Sequence, residues 1–175
     1  AFTAELGLAG VAVPEAEGGV GLGMVELAIL AEAAGRHVAA LPLLASIGLA
    51  VPAILAGGST GQKARVLPRL AAGELVASFA DAAPDTIWSD GALTGTAPLV
   101  PHGACAQLFV VAVGNDALLI ERDAPGLTVT PLTSMDQTRP YARLDFGGVA
   151  AQPLARAEAP LASARTTGPV VLPPP

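Results

Sequence analysis

Hydrophobic and polar positions follow two rhythms along this chain, and the change falls near Gly73. Before it, apolar residues recur at helical spacing. Over 24–34, "MVELAILAEAA", they run almost all the way round, which predicts a buried helix with Gly35 as its stop. A second helix is expected over 43–56. Pro42 sits near its first turn, where a missing N–H costs little, and Pro52 should kink or divide it before Gly57 and Gly58 end it. Ser59-Thr60-Gly61-Gln62 then has the spacing of a capping box, in which the Ser59 hydroxyl accepts from a first-turn N–H and Gln62 reaches back. The amphipathic segment it starts, about 60–72, should break or kink at Pro68 and stop at Gly73.

After Gly73 the rhythm shortens. Strand-like runs cover 75–80, 92–96, 108–113, 117–122, 127–131 and 142–146, and Gly114-Asn115-Asp116 reads as a hairpin turn between two of them. Helices followed by short strands specify an α+β fold: an N-terminal helical segment, then a small antiparallel β-barrel or sandwich. The expected division is a helical domain over 1–73, a β-domain over 74–160 and a Pro-rich tail over 161–175, ending "TTGPVVLPPP", that is extended or disordered.

Composition sharpens this picture. Of 175 residues, 52% are hydrophobic and only 3% aromatic, so Ala, Leu and Val must fill the core. Small side chains bury less area each, at roughly 25 cal/mol per Å². Such a chain is expected to need apolar surface from a further segment or a partner subunit. The net charge of −6, with no basic stripe, argues against nucleic acid. Cys105 is the one cysteine, which excludes an internal disulfide and favours a reducing, cytoplasmic setting. The opening "AFTAELGL" has no basic and apolar leader. The uncharged stretch 38–56 approaches bilayer length, but Pro42, Ser46, Gly48 and Pro52 favour a buried helix over a membrane span.

Candidate chemistry is sparse. "GGVGLG" (18–23) lacks the spacing of a dinucleotide or phosphate loop and reads as a turn feeding a helix. His37 and His102 have no second ligand at helical spacing, so no metal is expected. Cys105, beside an apolar strand, reads as a buried filler, and Trp88 as a loop anchor. Asp136 and Arg139 are spaced for a local ion pair that steadies a turn. The residues alone indicate a helical domain and a β-domain without an autonomous catalytic centre.

The order of the motifs nevertheless resembles the acyl-CoA dehydrogenases. "AELGLAGVAVPEAEGGVGLGMVELAILAEAAGR" is similar to the end of that family's N-terminal helical domain, with its "ELG…G…VPEE.GG.G" pattern. "TGQKARVLPRLAAGELVASFAD" resembles "..EQK..LP.LA.GE…A.A.TEP", and "LTGTAPLVPHGACAQLFVVAV" resembles "LNG.K.WITNG..AD..VV.A". The resemblance covers about 2–155 and fades after about Pro160, where the family's C-terminal helical domain would begin.

The resemblance implies FAD, an acyl-CoA thioester substrate and α,β-dehydrogenation, with the catalytic base expected from a C-terminal domain and no catalytic residue in this chain. The implied cofactor positions are Phe79, Asp81, Ala82, Leu99, Val100 and Pro101; Ser89 and Asp90 echo a substrate-loop "SD". The pattern is degenerate. Asp81, Ala82 and Ala83 replace the apolar residue, Thr and Glu before Pro84, and Leu99-Val100-Pro101 stands at "WIT", so a stacking ring and two hydroxyls are gone. Backbone contacts at Asp81 and Ala82 are the ones expected to survive. Three expectations follow. The chain is a divergent acyl-CoA dehydrogenase inactive by itself, a non-catalytic supporting subunit of a homo- or hetero-oligomer with weak or shared FAD, or a truncated product that aggregates.

Overall fold

The computed structural model describes residues 7–155. The expectations for the chain beyond Ala155, including the tail, lie outside the described residues. The molecule has three layers, helices on a sheet on a second sheet.

The helical layer opens with short 3-10 turns at Leu8–Gly10 and Glu15–Glu17. The Gly-rich loop folds back on them: Val20 N–H donates to Gly10 O, Gly21 to Val13 O and Leu22 to Val11 O, each at 2.8–2.9 Å. A Cβ on Gly19 would stand 2.0 Å from Val13 O, so packing requires glycine there, while Gly18 and Gly21 take φ of +84° and +72°. Helix α1 (Met24–Arg36) starts with Gly23 N–H donating to Glu26 Oε2 at 2.9 Å. It runs through Gly35 instead of stopping there. It is also less buried than its pattern implies: Leu27 is fully buried, while Val25 and Ile29 stay 69% and 62% exposed. The inner stripe, Leu27 with Leu30, Ala31 and Ala34, packs on Leu43 and Ile47, and no described residue covers the opposite face.

The second helix is divided, as Pro52 predicts. Leu43–Ala50 is a π-helix and α2 (Val51–Gly57) is α-helical, with Pro52 in its first turn. Helix α3 (Thr60–Ala71) carries the expected box: Gln62 N–H donates to Ser59 Oγ at 3.2 Å and Ser59 N–H to Gln62 Oε1 at 2.8 Å. Pro68 does not break it. The proline lies near the end of the helix, and Ala72 N–H donates to Pro68 O at 2.9 Å, so the ladder resumes at once. Among the described residues no helix is long and apolar enough to cross a membrane.

The strands are β1 (Ala77–Asp81), β2 (Ile87–Ser89), β3 (Ala92–Pro101), β4 (Leu108–Val113), β5 (Asp116–Glu121), β6 (Leu127–Leu132), β7 (Tyr141–Ala150) and β8 (Gln152–Pro153). They form two four-stranded sheets, β1-β4-β5-β8 and β2-β3-β7-β6, stacked as an open sandwich with no closed barrel. All pairs are antiparallel except β1 with β4. Leu108 and Val110 face the helices, while Phe109 and Val111 face the second sheet, which is why β4 is one unbroken apolar run. The expected hairpin joins β4 to β5, Val113 pairing with Asp116 across a loop whose Gly114 has φ +58°.

Candidate functional site

Two neighbouring features share the C-terminal end of β3. The first is a rim where β3 meets the end of β1. Ser78, fully buried on β1, donates its hydroxyl to Pro101 O at 2.6 Å and ties the strands together. Around that tie the six residues expected at a cofactor point in different directions. Phe79 joins the helix-facing core and Val100 the inter-sheet core, Asp81 is exposed, and Leu99 turns outward at 60% exposure. Ala82 N–H donates to Ala112 O at 2.9 Å and Ala83 N–H to Thr96 O at 2.7 Å. Pro101 has no N–H to give.

A flavin ring presents acceptors at its two carbonyl oxygens and two ring nitrogens, one N–H donor between the carbonyls, and flat faces for stacking. Here the amides of Ala82 and Ala83 are engaged within the fold, and Leu99 supplies no ring. The residues present do not fit that group.

Ser89 and Asp90 lie at the other end of β3, a ten-residue strand away, or roughly 30 Å at strand rise. Asp90 (φ 53°) and Gly91 (φ 79°) are the two residues of a tight turn joining β2 to β3, and the Ser89 hydroxyl donates to Asp90 Oδ2 at 3.1 Å. Two positive φ values mark the hairpin type in which Asp-Gly is favoured. The structure therefore does not bring these two residues together with the six on the rim.

The second feature escaped the sequence reading. A cleft of about 420 Å³ opens between α1, the stretch 38–45 and the far side of Pro101. Ala34, Ala39, Leu41 and Leu44 form its apolar wall, and His102, Arg139 and Tyr141 its polar end. His102 is 7% exposed and adopts the left-handed φ of 54°, held by its N–H to Pro140 O at 2.6 Å. Burial, and secondarily the Arg139 guanidinium, push its pKa below the ordinary histidine value, which favours the neutral imidazole. Asp136 accepts from the Thr138 hydroxyl and N–H at 2.5 and 2.9 Å, and these bonds hold its carboxyl below the usual range. The expected ion pair with Arg139 is present at 4.0 Å. No local motif announces this cleft, because it arises where small side chains from distant segments meet.

The remaining candidates are structural. Trp88 lies on β2 and packs on the inter-sheet core. Cys105 is exposed, not buried as expected, and its thiol donates to His102 O at 3.2 Å. A hollow of about 470 Å³ beside α3 holds Arg122, whose guanidinium is spent on the carbonyls of Gly103, Ala104 and Ala106. No cluster of three metal-ligating side chains exists among the described residues.

Residues 2–74 match the model of the acyl-CoA dehydrogenase N-terminal domain. The probable acyl-CoA dehydrogenase of Bacillus subtilis is 32% identical over 149 residues, 73% of this chain and 25% of that protein. The chain belongs to the acyl-CoA dehydrogenase family. The family member FadE28 of Mycobacterium tuberculosis is 30% identical over 151 residues, 82% of this chain and 44% of its own length. Among solved family structures, a variant of the Tcur3481-Tcur3483 steroid ACAD superposes with a TM-score of 0.82 at 32% identity, over 97% of this chain and 51% of that one. The acyl-CoA dehydrogenase of Bacillus anthracis, complexed with FAD, gives 0.82 at 25% identity over 95% and 34%. The chain thus spans from a quarter to about half the length of these family members.

Proposed function

We propose that this chain works in the α,β-dehydrogenation of an acyl-CoA thioester, forming the helical and β-sandwich part of an acyl-CoA dehydrogenase in the cytoplasm. The observation that carries the reading is the cleft, an apolar hollow of about 420 Å³ with a polar end, in a chain of this family. Its Ala and Leu wall would take an acyl chain and strip water from it. Neutral His102 would offer a hydrogen bond without adding charge, and Arg139 a cation. The base and the hydride acceptor of the reaction are assigned to groups beyond residues 7–155.

Calorimetry with an acyl-CoA against free CoA tests this. The acyl form should bind at least about tenfold tighter, roughly 1.4 kcal/mol; equal affinities would remove the cleft from the reading.

A second reading, a supporting subunit in an oligomer with another acyl-CoA dehydrogenase subunit, is favoured by the outer face of α1, where Val25 and Ile29 stand bare. Co-expression with a candidate dehydrogenase subunit and size-exclusion of the product decides it. A shared peak supports the pairing, and separate peaks reject that partner.

A further inference from the structure

We infer that the rim formed by β1 and β3 is a closed structural edge that does not seat a flavin ring. The inference rests on the family reading above, since only the family raises the question of a flavin. The observation beyond the altered side chains is a clasp. Thr86, 7% exposed, donates its hydroxyl to Thr96 O at 2.9 Å and accepts from Thr96 N–H at 3.0 Å. Thr96 O also takes the Ala83 N–H. One hydroxyl and one amide thus consume both main-chain groups of Thr96.

The segment 83–86 consequently lies flat on β3. A Cβ added at Gly95 would stand 2.5 Å from Thr86 Oγ1 and 2.6 Å from Thr86 Cα, so nothing bulkier than hydrogen fits between the segment and the strand. Next to the clasp, Pro101 O is occupied by the Ser78 hydroxyl and the His102 N–H by Pro140 O. A bound ring needs donors on its acceptor edge and a flat surface on its face. Along this edge the amides of Ala82, Ala83, Thr96 and His102 are committed to the fold, while Leu99 sits in a bulge without a partner in the β3–β7 register. The side chain turned outward, Leu99, is aliphatic. The segment after β1 acts as a strap that completes the sandwich.

The test is a titration of the intact chain, purified without added flavin, with FAD. Flavin fluorescence and energy transfer from Trp88, the one tryptophan, are followed together. The expected result is no saturable change with FAD at up to about ten times the protein concentration; saturation at one FAD per chain overturns the inference. A second protein carries Leu99→Trp and Pro101→Thr, which return a ring, an amide and a hydroxyl while leaving the Thr86 clasp in place. Its flavin signal is also expected to stay flat, and saturable binding by it would show that side chains alone decide, against the closed edge. Cooperative unfolding of each sample is recorded first, and the wild-type titration decides if the variant does not fold. Acyl-CoA binding is measured on the wild-type sample, because Pro101 lines the cleft. Its absence would defeat the cleft assignment, and a flat FAD titration with acyl-CoA binding intact keeps both.

Discussion

The rim and the cleft lie on opposite sides of the same strand end, and they were built by opposite means. On the rim, main-chain groups are consumed at short range, by Ser78 on Pro101, Thr86 on Thr96 and the Ala82 amide on Ala112. In the cleft, Leu43–Ala50 and α1 satisfy their backbones internally, and small side chains leave space that larger ones would fill. A chain with 3% aromatic residues is poor in the bulk needed to close such a hollow. The difference teaches that the two features answer to different physical constraints. An edge with polar backbone groups closes on itself, because a buried unpaired group costs about 1–3 kcal/mol. An apolar hollow has no such pressure and stays open.

The largest effect expected from breaking this contrast is Ser78→Ala. Ser78 is fully buried, and its removal leaves Pro101 O without that donor. Roughly 2 kcal/mol of stability should be lost, read as a lower denaturant midpoint with an unchanged slope. A midpoint within about 0.5 kcal/mol of wild type would show that the rim is not held by this tie. On the cleft side, Ala39→Trp should do the reverse. Ala39 is exposed and lines the hollow, so the indole enters the cleft and not the core. Acyl-CoA affinity should fall at least about tenfold, roughly 1.4 kcal/mol, with stability unchanged. Unaltered binding would move the ligand elsewhere. As a control remote from both, Ser59→Ala removes the α3 cap and should cost about 1 kcal/mol, shifting thermal unfolding without changing acyl-CoA affinity.

These variants also separate what was legible in the sequence from what was not. Ser59 and Gln62 could be read because a capping box is a local contract between residues three apart. Strands β4 and β5 could be read because burial on both faces leaves an unbroken apolar run. Strand β2 escaped: Ile87–Ser89 is only three residues long, and the Asp90-Gly91 turn that fixes it was the available signal. The exposure of α1 escaped too, because periodicity records which faces are apolar and not which find a neighbour. The cleft was invisible for the same reason. Ala39, Leu44, His102 and Tyr141 meet only in three dimensions.

The smallest expected effect probes the histidine at the boundary of the two features. Its imidazole faces the cleft with Arg139, Asp136 and Tyr141, and burial first and Arg139 second lower its pKa in the folded chain from the ordinary 6.5. The unfolded chain therefore takes up this proton at a higher pH than the folded one. The stability that comes from keeping His102 neutral is fully present above 6.5 and declines as pH falls from there toward the folded value. His102→Asn removes the titrating group while suiting the left-handed backbone, φ 54°, because Asn tolerates that region. Between about pH 7.5 and 5.5, above the carboxylate range, the wild type should lose stability that the Asn variant keeps. Arg139→Gln removes only the second cause, so it should leave most of the decline in place. If Arg139→Gln abolished the decline as completely as His102→Asn does, charge and not burial would govern this group. The polar end of the cleft would then be a solvated one, and what separates it from the rim would narrow to the Thr86 clasp alone.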